Sequence, residues 1–355
     1  MKEYRLPIII TVIAILFLVG YAYFRSVNQI QGKPYHHLSR NYFRNPEDND
    51  PGRPKLSDML RFLVRLPVTL AKTPKLPADM RLNEAAAIKG FNDFKTHDTL
   101  TWLGHATFLI RLDGKTILTD PYLTDHAGPW IFGPTRYTPP GIQIKNLPKI
   151  DMILLTHNHY DSLDLDTISK LANKTDIDVV VPLYNSSYFE KAGYSAIYEL
   201  DWFQSIQLNH IKITAIPAIH YSGRHFFYQN KRLWAGYIIQ SKNHKILYMC
   251  DSAYGEIYRY IGKKYGPFDA VIIDIGAYDP QSVMHFSHTT PEESIKIARE
   301  LKAKNVIAMH WGTVTLSEEP PLEPPTRFRA AGLKAGYRKD QVWVMKIGET
   351  REISN

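Results

Sequence analysis

The first apolar feature of the chain is the run Leu6 to Tyr23, which no charged residue interrupts. About 18 residues at ~1.5 Å per residue reach ~27 Å, close to the hydrocarbon thickness of a bilayer. Lys2 and Arg5 precede the run and Arg25 follows it. An uncleaved signal anchor and a cleaved signal peptide both begin this way, the second with Gly20 and Ala22 before the cut. Bulky Tyr21 and Tyr23 flank that cut, so the expectation is an N-terminal transmembrane helix within residues 1–24. Positive charges are more numerous after the run than before it, which argues for a catalytic part inside. Anchors of this shape commonly export the domain downstream of them, and a single-pass membrane protein with a periplasmic or extracytoplasmic domain is the expected location.

Residues 25–80 read as a polar, proline-bearing approach segment. Within it Leu56, Met59, Leu60 and Leu63 recur at helical spacing, so the pattern predicts a helix from Leu56 to Leu66, ended by Pro67. That helix either packs on the domain or rests its basic side on lipid. From about Asp98 the period changes. Thr99–Gly104, Thr107–Leu112 and Lys115–Asp120 read as strands, with Asp113-Gly114 as a hairpin turn. Further apolar runs end at His157, His220, Asp251 and His310, and helices are expected near Leu165–Leu171, Glu256–Tyr265 and Pro291–Lys302. Strands thus occur both in hairpins and in alternation with helices. The implied α/β architecture is two mixed sheets packed together with helices outside, an α/β/β/α sandwich over residues 81–355.

Composition narrows the chemistry. With 355 residues and 44% hydrophobic content the chain can bury a large core. Its one cysteine, Cys250, excludes an intramolecular disulfide and a Cys-rich zinc site. The net charge of +8 suits an anionic partner, although most of the excess is spread.

The sharper signal is a repeated design in which an apolar strand ends in a ligand-type residue. His157-Asn158-His159-Tyr160-Asp161, His220, Asp251 and His310 all stand at such ends. Two histidines at i and i+2 in an extended loop can face the same side and share one ion. Imidazole with carboxylate is the donor set that Zn²⁺ takes, and catalytic sites keep one position open for water.

The motif Thr156 to Asp164, T-H-N-H-Y-D-S-L-D, resembles the metallo-β-lactamase superfamily. More narrowly, T-W-L-G-H-A-T (Thr101–Thr107), T-D-P-Y (Thr119–Tyr122), G-P-T-R-Y (Gly133–Tyr137), E-L-D-W (Glu199–Trp202), I-G-A-Y-D-P (Ile275–Pro280) and H-W-G-T (His310–Thr313) resemble the N-acylphosphatidylethanolamine-hydrolysing phospholipases D and their bacterial relatives. The resemblance covers about residues 80–350. It implies a metallo-β-lactamase-type sandwich and a zinc-dependent phosphodiesterase acting on such lipids. It also implies that His157, His159 and His220 hold one zinc, that Asp161 and His310 belong to a second, and that Asp251 bridges the two. Asp161 or Asp251 would hold and deprotonate the attacking water, and His288 would stabilise phosphoryl charge. His105 and Asp120 would support the ligands, with Asp164 orienting a ligand histidine. A phospholipid or other phosphodiester is then the expected partner, and no nucleic acid. Related folds also cleave lactones and other esters, and a metal-depleted lipid-binding protein is the reading from a different class.

Two departures matter. Where the resembling pattern H-x-H-x-D-H ends in histidine this chain has Ser162, so the second site is expected to be weak or to hold Mn²⁺ or Mg²⁺. Cys250 stands where glycine is usual, as a buried small residue or as a further ligand.

Overall fold

The computed structural model describes residues 28–71, 74–129, 133–224 and 229–353. A short hairpin of β1 (His37–Leu38) and β2 (Tyr42–Phe43) is followed by helix α1 (Leu56–Ala71) and helix α2 (Glu84–Asp93). The first large sheet contains β3 (Thr99–Gly104), β4 (Thr107–Leu112), β5 (Lys115–Thr119), β6 (Met152–Leu154), β7 (Asp178–Pro182) and β8 (Ala196–Leu200), with α3 (Leu165–Lys170) and α4 (Ser186–Ala192) inserted. The second contains β9 (Ser205–Leu208), β10 (Ile211–Ile216), β11 (Gly236–Gln240), β12 (Lys245–Tyr248), β13 (Phe268–Asp274), β14 (Ala303–Met309) and β15 (Val342–Trp343). Its helices are α5 (Ile257–Lys264), α6 (Gln281–Met284), α7 (Pro291–Glu300) and α8 (Glu323–Lys334), and β16 (Thr350–Glu352) returns to the first sheet. The orders are β16-β3-β4-β5-β6-β7-β8 and β15-β14-β13-β12-β11-β10-β9. Each sheet is antiparallel on one side and parallel on the other, changing at β5 and at β12.

The strands are near-continuously apolar because both faces are covered. Along β4, Phe108, Ile110 and Leu112 enter the core between the sheets, whereas Leu109 turns to the outer core. Val180 of β7 points inward while Val179 and Val181 join the outer core that also holds Phe91 of α2. Ile295, Ile297 and Phe328 bring α7 and α8 onto the second sheet. The layers are therefore α/β/β/α, as the periodicity implied. Helix α7 starts at the expected proline with a full capping box: the Thr290 side chain accepts from the Glu293 backbone, and Glu293 reciprocates.

Four expectations change. No helix among the described residues is long and apolar enough to cross a membrane. The expected N-terminal transmembrane helix, and the single-pass location drawn from it, are corrected accordingly. The run Leu6–Tyr23 itself lies outside the described residues. An apolar run of sufficient length is a necessary condition for a span and does not by itself make one. Helix α1 does not stop before Pro67 but runs through it to Ala71. Pro67 lacks only the N–H that would meet the Leu63 carbonyl, and the last turn, where Thr69 is buried, holds the helix together. The predicted apolar face of α1 is also not simply a packing face. Leu56, Leu60, Val64 and Val68 form a stripe four residues apart in which Val64 is 76% and Val68 66% exposed. Finally, the chain closes on β16, an edge strand that the alternation did not predict.

Candidate metal centre

The chemistry collects at one edge of the sandwich, where the strands deliver their loops. His157, His159 and Asp161 follow β6, His220 follows β10, Asp251 follows β12 and His310 follows β14. His288 lies between α6 and α7, and His105 occupies the turn joining β3 to β4. Gly276, just beyond β13, permits this convergence: a Cβ there would sit 2.2 Å from the His310 carbonyl oxygen.

His157, His159 and His220 form one cluster. Their ring centroids lie 4.5, 4.7 and 5.0 Å apart, and His220 Nε2 is 3.2 Å from His159 Nδ1. Their partners fix two of the rings. His220 Nδ1 lies 2.9 Å from the Ser287 carbonyl, which only accepts, so Nδ1 carries the proton and Nε2 offers its lone pair. Thr156 Oγ1 donates to Asp120 Oδ2 at 2.7 Å and therefore accepts from His157 Nδ1 at 2.8 Å, again leaving Nε2 free. Asp120 is anchored in turn by the Thr156 N–H and the Tyr248 hydroxyl, both at 2.7 Å. Burial pushes the Asp120 carboxyl up to about 8. Burial, reinforced by the neighbouring imidazole of His157, holds His159 down at about 3. Burial likewise holds His220 well below the usual histidine value, so both rings are neutral near pH 7.

Beside them stands a charged cluster. His310 Nε2 is 3.0 Å from Asp251 Oδ2 and 3.3 Å from Asp161 Oδ2, and His105 Nε2 is 2.9 Å from the same Asp161 oxygen. Burial alone would raise both carboxyls, but His310 holds Asp251, and His105 with His310 hold Asp161, well below the carboxylate range. Burial would lower His310, yet Asp251 and Asp161 raise it well above the histidine value. Asp251 joins the clusters, since its Oδ2 is also 3.7 Å from His157 Nε2. His288 faces both sides, its ring 5.2 Å from that of His220 and 5.1 Å from that of His310, with Asp274 Oδ2 at 3.5 Å from Nδ1.

These residues suit divalent cations. The buried nitrogens His157 Nε2 and His159 Nε2 have no hydrogen-bond partner among the described residues, and neutral imidazoles converge beside two buried carboxylates. Donor atoms of His157, His159 and His220, of His105, Asp161 and His310, and of His220, Asp251 and His288 lie within 4.8 Å of one another in each set. His105 and His310 both hold positive φ, +54° and +62°, a backbone state that non-glycine residues adopt at a cost. A cavity of about 490 Å³ opens over His105 and His310, walled by Thr69, Trp311, Val314 and Leu316.

A sandwich of two mixed sheets with its histidines and aspartates gathered at one edge leads to the class, and the chain belongs to the metallo-β-lactamase superfamily: the sequence profile of the Beta-lactamase superfamily domain matches residues 115–311. It is a metal-dependent hydrolase of that superfamily. The chain is 33% identical over 334 residues, covering 88% of it and 93% of the relative, to N-acyl-phosphatidylethanolamine-hydrolyzing phospholipase D 1 of Caenorhabditis elegans. It is 30% identical over 257 residues to a metal-dependent hydrolase of Rubrobacter xylanophilus, covering 70% of this chain and 94% of that one. Among solved structures, a metallo hydrolase from the archaeon Ignicoccus hospitalis shares the fold at a TM-score of 0.56 and 21% identity, over 72% of this chain and 98% of that one.

The structure brings together the seven residues expected to hold or act at the metals: His157, His159, Asp161, His220, Asp251, His288 and His310. Asp164 does not reach a ligand histidine. It caps α3 and accepts from Thr124 and Thr167. The Cys250 thiol is buried 3.6 Å from His157 Nδ1, the nitrogen turned away from the cluster. The sequence reading missed Thr156, Tyr248 and Asp274, polar residues within or at the ends of apolar strands, where alternation marks only core. It gave His105 a supporting part, although the structure sets its ring directly against Asp161 and His310.

Proposed function

We propose that the chain is a zinc-dependent phosphodiesterase of phospholipase D type that acts on N-acylphosphatidylethanolamine-like lipids. The observation that carries this reading is the pair of His/Asp clusters joined through Asp251, beside a cavity that reaches His105 and His310 and is partly walled by Trp311, Val314 and Leu316. Three neutral imidazoles suit zinc, and the similarity to the C. elegans phospholipase supports the substrate class. A bound divalent ion lowers the pKa of a water and draws charge from phosphoryl oxygens. Asp161 and Asp251 hold the attacking water and take its proton, while His288 donates to a phosphoryl oxygen as charge develops there. Water adds to phosphorus, the bond from phosphorus to the ethanolamine oxygen breaks, the proton taken from water passes to that oxygen, and phosphatidate and N-acylethanolamine leave. Trp311, Val314 and Leu316 give acyl chains an apolar wall, and the exposed Val64 and Val68 stripe lies on the helix whose Thr69 lines the same cavity.

The test uses chelator-stripped protein, vesicles containing N-acylphosphatidylethanolamine, and added Zn²⁺ or Mn²⁺. Equimolar phosphatidate and N-acylethanolamine, restored by metal, are expected. Release of fatty acid, or turnover of a lactone with the lipid untouched, would assign the site to another ester.

A further inference from the structure

We propose that His105 replaces the imidazole missing at Ser162: with Asp161 and His310 it donates to the second cation position, through Nε2. This rests on the metal-dependent reading above but not on its substrate.

Ser162 cannot act in that way as it stands. It is fully buried, its Oγ has no hydrogen-bond partner among the described residues, and a neutral hydroxyl is a weak donor to a divalent ion. His105 supplies what the serine lacks. Its Nε2 meets Asp161 Oδ2 at 2.9 Å, the oxygen that His310 Nε2 approaches at 3.3 Å, and the two rings are 4.1 Å apart between centroids. One carboxylate oxygen is thus flanked by two imidazole nitrogens, with Asp251 Oδ2 at 3.0 Å from the His310 nitrogen.

The backbone is built to hold the ring there. The tight turn between β3 and β4 places a histidine at φ +54°, where glycine or asparagine would be easier. Thr313 Oγ1 accepts from the His105 N–H at 2.9 Å, and the His105 carbonyl accepts from the His310 N–H at 3.1 Å. The two histidines therefore move as one unit, although they come from opposite sheets. Trp102 adds a bond from its indole N–H to the His105 carbonyl at 2.9 Å. A merely supporting histidine would also bond Asp161, so the experiment must distinguish donation to the ion from orientation of the carboxylate.

Metal-free full-length protein is titrated with Zn²⁺, and ions per chain are counted in wild type, Ser162→Ala, His105→Ala and His105→Gln. Glutamine carries its amide nitrogen to where Nε2 stands in histidine and can still donate an N–H to Asp161, so it keeps the orienting role and removes the imidazole. Two ions per chain are expected in wild type and in Ser162→Ala. His105→Gln and His105→Ala should bind the second ion at least roughly 100-fold more weakly, beyond the usual range for loss of an outer hydrogen bond. In Co²⁺-loaded wild type, the His105 ring N–H should appear among the strongly shifted proton signals. A His105→Gln protein that binds both ions as tightly as wild type, or an unshifted His105 ring, overturns the proposal. So does a wild type that saturates at one ion, or loss of the second ion in Ser162→Ala. A wild type that binds no ion overturns the metal-dependent reading itself.

Discussion

The two halves of the metal centre are built on opposite electrostatic plans. The His157, His159 and His220 side is neutral: three imidazoles, each kept unprotonated by burial, with two of their outer nitrogens committed to Thr156 and a backbone carbonyl. The Asp161, Asp251, His310 side is ionic, with two buried carboxylates that hold a proton on His310 where a cation would otherwise sit. The first side depends on hydrogen bonds that set tautomers. The second depends on positive charge, whether proton or metal. Variants that touch geometry should therefore act on the first, and changes in pH or metal on the second.

The largest effect is expected from removing a ligand of the neutral side. His157→Ala and His220→Ala should each lower hydrolysis by at least ~10³-fold, because the electrostatic stabilisation supplied at such centres is of that size. Circular dichroism should stay native, since both rings sit at loop ends rather than in the sheet core. Near-native turnover under limiting metal would break the assignment of this side.

The ionic side should respond to metal removal in a pH-dependent way. His310 is raised in the folded protein, so its stabilisation is complete below the unfolded histidine value of 6.5 and is lost as pH rises through the folded pKa. Asp161 and Asp251 are depressed, so theirs is present above 3.8 and is lost only as pH falls through their folded values. Asp120, raised to about 8, loses stability as pH rises from its unfolded 3.8 towards that value. Metal-free protein should thus show a Tm that falls on going from neutral to alkaline pH. Metal-loaded protein should lose less Tm over the same range, because the ion does not titrate away and only the Asp120 contribution changes. Parallel Tm profiles for the two forms would mean that the carboxylates are not neutralised by the ion.

A milder perturbation is Asp120→Asn. Asp120 accepts from the Thr156 N–H on one oxygen and from the Thr156 and Tyr248 hydroxyls on the other, whereas asparagine keeps one accepting oxygen and turns a nitrogen that cannot accept towards the remaining donors. Metal affinity of the neutral side is expected to fall about 10–100-fold, the usual cost of losing an outer-shell partner. Calorimetric titration with Zn²⁺ reads this directly, and an unchanged first binding step would show that Asp120 serves the fold alone.

The sandwich and the clustered histidines and aspartates are legible in the sequence for the same reason. Apolar strands covered on both faces read as runs, and a histidine or aspartate at the end of a run stands out against them, as at His157 and His310. Relations between strands were not legible. His105 lies 56 residues from Asp161 in sequence and meets it only because the β3–β4 turn folds over the β6 loop. Tyr248 reads as an ordinary β-residue until its hydroxyl is found on Asp120. Pro67 was given a local rule that the packing of Thr69 overrides. The run Leu6–Tyr23 carried length and apolarity, which are shared by segments with different fates.

The smallest expected effect is also the most selective. Thr156→Val keeps the volume of a buried side chain but removes the hydroxyl that links Asp120 to His157. The backbone bond from residue 156 to Asp120 survives, so the carboxylate stays in place. His157 Nδ1 then has only the Cys250 thiol at 3.6 Å, a weak partner, and the preference for the Nε2 lone pair is lost. One imidazole of three must then fix its own tautomer and orientation, which predicts a loss of roughly 10-fold in the first binding step. The second step should not change, because the hydrogen bonds of Thr156 run to Asp120 and His157 and not to Asp161 or His310. Equal losses in both steps would show that the two halves are coupled through Asp251 and cannot be treated as separate designs.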